Sequence, residues 1–258
     1  MPENKEVDPE NIAAIIIDEE KKEQLIFTKD QLINQLQQVC SVIALSFDTV
    51  YKDEFKRLSE GLSFTLVKQF VGYKTATAEK DELRITCGNL LRNAANTIIA
   101  SISLLRNGFR LQSGILIRSE IEMCATVVHL LVDKKALADF KNDKLNSTYS
   151  ISVANKQIPL FGKAWGLLSN HQIHINSIHA DWYPMNQYAD KTEIPASVVL
   201  GVLGYSLLIL DIVSELTFID EIPNPSYWKI NKPGELQFIH PNADVTKWAE
   251  DLLQGTKK

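Results

Sequence analysis

Residues 111–132, LQSGILIRSEIEMCATVVHLLV, constrain the fold more than any other part of this chain. The stretch reads as a helix that is apolar almost all the way round, and such a helix must be enclosed, by other protein elements or by lipid. Yet it carries Arg118, Glu122 and His129. At about 100° per residue, Glu122 falls roughly 40° and His129 roughly 20° from Arg118, so all three share one edge. That edge is either an ion-pair strut or the floor of a site. Glu120 falls roughly 160° from Arg118 and reads as a surface or interface charge. Three charges near the middle make a membrane span costly. A second apolar stretch, residues 195–210, is shorter than the roughly 20 residues a span requires and runs straight into Asp211 and Glu215. Both read as buried core helices.

The rest of the composition suits that reading. A chain of 258 residues that is 45% hydrophobic can build one large core, and a net charge of −5 gives no general attraction to nucleic acid or to an anionic membrane. The N-terminus lacks the basic and apolar regions of a signal peptide. The cysteines, Cys40, Cys87 and Cys124, sit singly within helical patterns, as reduced core thiols do. The chain reads as soluble and cytoplasmic, with no membrane partner.

The expected architecture is all-α for the most part, a helical bundle with central antiparallel long helices and a small C-terminal β-hairpin. Residues 1–11 read as a disordered polar tail, 12–222 as one helical-bundle domain, and 223–258 as a hairpin and short helix packed on that domain. Residues 12–17 form a β-branched run that suits helix or strand equally. Thr28 and Gln31 have capping-box spacing and open a helix whose apolar face is Leu32, Leu36, Val39, Cys40, Ile43 and Phe47. A further helix covers about 58–71, with a polar link near 73–77. Residues 78–106 give the clearest helix, stopped at Asn107-Gly108. The central apolar helix follows, antiparallel to it across a short connection. After a shorter helix near 135–144 the chain is irregular, apart from a short helix after Pro159. Pro195 opens the last long helix. Residues 227–240 alternate around Lys232-Pro233-Gly234 as a hairpin, and 246–253 suit a short helix.

Three groups of residues are candidates for function. Arg118 with Glu122 and His129 could bind an anion, since a planar guanidinium suits phosphate and carboxylate. His171, His174, His179 and Asp181 supply ligands that zinc prefers, at a spacing that matches no zinc motif. Arg84, Arg92 and Arg106 fall within about 80° on one helix, as a stripe tracking a phosphate backbone would. Phosphate-binding glycine loops and a G-x-S-x-G elbow are absent, and no cofactor is expected.

Gly114 to Met123, with R-S-x-x-E at Arg118, Ser119 and Glu122, and the downstream Leu168, Ser169 and His174 resemble a group of bacterial all-helical proteins of unknown function, loosely related to the HEPN-like superfamily. The resemblance covers about residues 80–220. It implies a bundle in which Arg118 and Glu122 face the loop of Ser169 and His174. HEPN-like ribonucleases place a His a few residues after an Arg, whereas His129 lies eleven residues after Arg118 and no Arg shortly precedes His174. The expected function is therefore a binding or interaction module, of a regulatory or defence-associated kind, with a protein partner or a second copy as its ligand. The alternative is an RNA- or phosphate-ester-cleaving enzyme in which Arg118, Glu122 and His174 are catalytic and Ser169 and His129 help bind the anion. RNA is a partner that the net charge does not favour.

Overall fold

The computed structural model describes residues 8–168, 185–232 and 235–239. It is a mostly helical bundle with two small antiparallel sheets. A 3-10 turn at Pro9–Asn11, capped by the Asp8 side chain, leads into strands β1 (Ile12–Asp18) and β2 (Glu23–Thr28). These form a hairpin in which Ile15 faces Ile26 and Ile16 faces Leu25. Helix α1 (Gln31–Asn34) runs through a π-helical turn at Gln35–Val39 into α2 (Cys40–Val50). The long helices α3 (Lys52–Glu79), α4 (Glu82–Arg106) and α5 (Arg110–Val132) follow, then the shorter α6 (Ala136–Lys141), α7 (Ser147–Gln157) and α8 (Leu160–Leu168). Helix α9 (Ile194–Thr217) precedes the second hairpin, β3 (Trp228–Lys232) and β4 (Glu235–Phe238).

Helix α9 is the axis of the core. Its sequence IPASVVLGVLGYSLLILDIVSELT offers no polar face, and 18 of its 24 residues are buried. Among the described residues it is the one helix long and apolar enough to cross a membrane, and 83% of its most apolar window lies inside the protein. Helices α3, α4, α5 and α8 all pack on it. Cross-contacts give the directions. Gly61 meets Leu207 and Gly72 meets Phe218, while Arg110 pairs with Glu193 and Glu120 with Ser206, so α3 and α5 run parallel to α9. Arg84 reaches Glu221 beyond the end of α9, so α4 runs the other way. Where α4 and α5 draw closest, Ser101 and Ser113 each donate a hydroxyl to the other's carbonyl, at 2.8 and 2.7 Å. Small hydroxyls that satisfy each other let two backbones approach without an orphaned polar group.

Several boundaries differ from the sequence reading. Thr28 does not cap a helix: it ends β2 in register with Ile12, and Asp30 stands at the α1 N-terminus. The polar run at 73–77 is no link. It lies within α3, where Gly72 and Ala76 are buried while Lys74 and Thr77 face outward. The turn comes later, at Lys80, in the left-handed region at φ 58°. Helix α4 accordingly begins at Glu82, capped by Asp81, whose side chain accepts from the Arg84 amide at 3.0 Å. Part of the stretch read as irregular is α7, opened by Asn146, which accepts from the Tyr149 amide. The short helix expected at 246–253 lies outside the described residues.

Candidate functional site

The polar edge of α5 does not form one site. Arg118 Nε donates to Glu122 Oε1 at 3.0 Å, and its guanidinium lies 4.4 Å from the Trp165 ring centre on α8. Both side chains are about one-third exposed. The guanidinium is thus held on one side by a carboxylate and on its face by an indole. His129, eleven residues on, sits roughly 16 Å farther along the helix axis and is buried. His129 Nδ1 lies 3.0 Å from Ser150 Oγ, which is also within 3.1 Å of the Asn146 carbonyl oxygen. Tyr149 stacks edge-on against the imidazole. His129 therefore fastens α7 to α5, three turns away from the Arg118 pair. Ser169, His171, His174, His179 and Asp181 lie outside the described residues. Elsewhere, no group of three or more His, Cys, Asp or Glu side chains is placed to hold a metal among the described residues.

Glu120 overturns its sequence reading. It is neither a surface nor an interface charge but wholly buried, because the face of α5 opposite Arg118 is the one that α9 covers. Ser206 donates to Glu120 Oε2, and Cys124 Sγ donates to Oε1 at 3.0 Å. Burial without a cation raises the Glu120 carboxyl from 4.5 to about 8, against the two hydrogen bonds that favour its charged form. The same burial, with the Glu120 carboxylate beside it, pushes the Cys124 thiol well up. Cys124, like Cys40 and Cys87, is a free buried thiol, as the sequence pattern suggested.

The three arginines of α4 do not present a basic stripe. Arg84 pairs with Glu221 and, at 3.4 Å, with Glu79. Arg92 lies over the Tyr73 ring at 4.4 Å. Arg106 grips Asp48 with two hydrogen bonds of 2.8 and 2.6 Å. Each ties α4 to a neighbouring element, which leaves no row of open guanidinium groups for a phosphate backbone.

Two polar assemblies escaped the sequence reading. Buried Arg110 binds Glu193, donates to the Asn186 carbonyl at 3.0 Å and stacks 4.1 Å from the Tyr188 ring centre. Tyr188 packs in turn on Phe47 and Tyr51. This cluster moors the segment before α9 to α2 and α5. The second assembly joins α3, α9 and the C-terminal hairpin. Lys68 Nζ donates to Asp211 Oδ2 at 2.9 Å and to Glu215 Oε2 at 3.4 Å. Asp211 also accepts from Thr65 and from the Tyr227 hydroxyl, and Glu215 accepts from the Tyr227 amide at 2.6 Å. Burial and the neighbouring Asp211 carboxylate hold the Tyr227 phenol above its ordinary value. A cavity of about 330 Å³ opens beside this network, lined by Phe64, Leu207 and Leu208, with Thr65, Asp211 and Tyr227 on its polar side. Thr65 and Tyr227 bond Asp211, while the charged Arg57 and Glu60 also line the recess.

One unsatisfied feature is a surface. Ile15, Ile16, Ile17, Leu25, Ile26 and Phe27 on the N-terminal hairpin are all exposed, from 42% for Ile26 to 69% for Ile17. Both faces of the hairpin are therefore apolar, and neither strand pairs with any other among the described residues. The surface continues on the helix that follows. Leu32, Ile33, Leu36, Val39, Val42 and Leu45 are exposed as well. Of the apolar face expected for this helix, Cys40, Ile43 and Phe47 enter the core while Leu32, Leu36 and Val39 do not. The π-helical turn at Gln35–Val39 lies within this apolar surface, and such turns recur at functional positions.

Comparison with protein-family models, with curated proteins and with solved structures gives no match to this chain. Function is therefore argued from geometry.

Proposed function

We propose that the protein is an interaction module: a helical scaffold that presents residues 12–45 to a protein partner. One observation carries this reading, the concentration of exposed large apolar side chains on the N-terminal hairpin and on α1 and α2. A soluble monomer's largest exposed apolar patch is typically about 300–600 Å², and larger ones mark interaction sites. Twelve large apolar side chains, each between 40% and 69% exposed, crowd residues 12–45. The catalytic alternative draws less support, since Arg118 is engaged by Glu122 and Trp165.

The test compares the wild-type chain with a Leu36→Glu/Leu45→Glu variant. Both positions are exposed, so the variant should fold and melt as the wild type does. The expected result is a protein ligand, a second copy or another chain, that the wild type retains and the variant loses. Its binding should slow amide exchange within residues 12–45. A wild-type chain that stays monomeric and retains no protein sinks the proposal, as does a ligand whose protection maps elsewhere.

A further inference from the structure

Resting on that reading, we infer that the partner is a second copy of this chain, joined across a two-fold axis by antiparallel pairing of β1 with β1 of the other copy.

The first argument is the β1 edge. Soluble proteins blunt exposed edge strands with lysine, proline, bulges that twist the edge away or a covering element. From Ile12 to Ile17 β1 carries no charge and no proline, and its register shift lies at its start, between Ile12 and Ala14. No other strand covers either edge of the hairpin among the described residues. An isolated two-stranded hairpin is at best marginally stable in water, whereas pairing two hairpins makes a four-stranded sheet. The second strand suits the role less well, because Glu23 stands at its start.

Symmetry then fixes the register. In an antiparallel pair, hydrogen-bonded and non-hydrogen-bonded positions alternate. A two-fold axis between identical strands must therefore set one residue opposite itself. Centring the axis on Ile15, the midpoint of β1, pairs the most residues. Ile15 then faces Ile15, Ala14 faces Ile16 and Ala13 faces Ile17. Every central pair is apolar and no like charges meet. Such self-complementarity is what an isologous interface requires and what an unrelated partner strand would have to supply by chance.

The third argument is area. A stable interface of standard size buries roughly 800 Å² on each partner. Edge pairing alone covers neither face of the hairpin, so the exposed Leu32, Ile33, Leu36, Val39, Val42 and Leu45 of α1 and α2 are the surface from which the rest of such an area would come.

Cysteine cross-linking of the full chain tests the register. Opposed residues in an antiparallel pair have Cα atoms about 4.5–5.5 Å apart, within disulfide range. Under mild oxidation Ile15→Cys should become a disulfide-linked dimer. A Gln24→Cys variant should not, since the outer strands of the four-stranded sheet stand roughly 14 Å apart. The native cysteines are buried and should not compete. Sedimentation of the wild type should show a dimer at micromolar concentration. Ile15→Lys, which sets two ammonium groups face to face, should raise its dissociation constant at least about 100-fold with an unchanged circular dichroism spectrum. Cross-linking through Gln24→Cys but not Ile15→Cys overturns the β1 pairing. So does a dimer that Ile15→Lys leaves intact. A wild-type monomer at tens of micromolar overturns self-association altogether, and the retention experiment with Leu36→Glu/Leu45→Glu then decides the wider reading on its own.

Discussion

Glu120 shows what one residue can do to a helical core. Folding moves its carboxyl from 4.5 to about 8, so between those values the folded chain keeps a proton that the unfolded chain releases. Stability is therefore full below about pH 4.5, falls as pH rises and levels off above about pH 8, a loss on the order of 5 kcal/mol. Glu120→Gln removes the charge, keeps one acceptor oxygen and puts an NH2 donor in place of the other. Urea unfolding at a series of pH values should show this decline in the wild type and lose most of it in the variant. Gly72 is a second such residue. A Cβ there would stand 2.0 Å from Phe218 Cγ, so Gly72→Ala should cost about 1–3 kcal/mol or more by overpacking. The same change in a Phe218→Ala background, which lacks the Cγ and Cδ1 that clash, should cost markedly less, and additive melting shifts would count against the contact. Neither effect is legible in one sequence. The helical wheel places Glu120 opposite Arg118, but it does not say which side of α5 receives α9.

At the scale of elements, the long helices were the readable part. Helices α4, α5 and α9 each turn an apolar face, or their whole girth, to the core, so periodicity and the Asn107-Gly108 stop placed them well. Helix α3 was harder, because its polar residues at 73–77 are an outward face that reads as a break. The N-terminal hairpin was not readable as a hairpin. Both its faces are apolar, so the alternation that marks a half-buried strand is missing. The candidate site was hidden for a similar reason: whether Leu32 and Leu36 meet the core or the outside depends on packing, not on spacing. The C-terminal hairpin is joined to α9 through Tyr227, and Trp228 donates to the Ile212 carbonyl at 3.1 Å. Lys68 is the cation between Asp211 and Glu215 that this joint needs. Lys68→Met should leave two carboxylates facing each other and cost about 3–5 kcal/mol near neutral pH. Adding Asp211→Asn and Glu215→Gln should return most of that loss, as chemical denaturation of the three proteins would show.

For the whole molecule, the balance between core and surface sets the final expectation. Helix α9 is enclosed by four other helices of the same chain, so that core needs no second copy to form. The N-terminal hairpin is different: its own two strands pair, but its apolar faces have no cover among the described residues. Association through it adds stability by mass action, because the native chain binds its partner and the unfolded chain does not. A hundredfold excess of concentration over the dissociation constant is worth about 2.7 kcal/mol. The melting temperature of the wild type should accordingly rise by several degrees between dilute and concentrated samples. That of Ile15→Lys should stay flat and match the dilute wild type. If both proteins melted at one temperature throughout, the hairpin would contribute nothing through association. Its exposed isoleucines would then need another cover, and a heterologous chain at residues 12–45 would become the partner to seek.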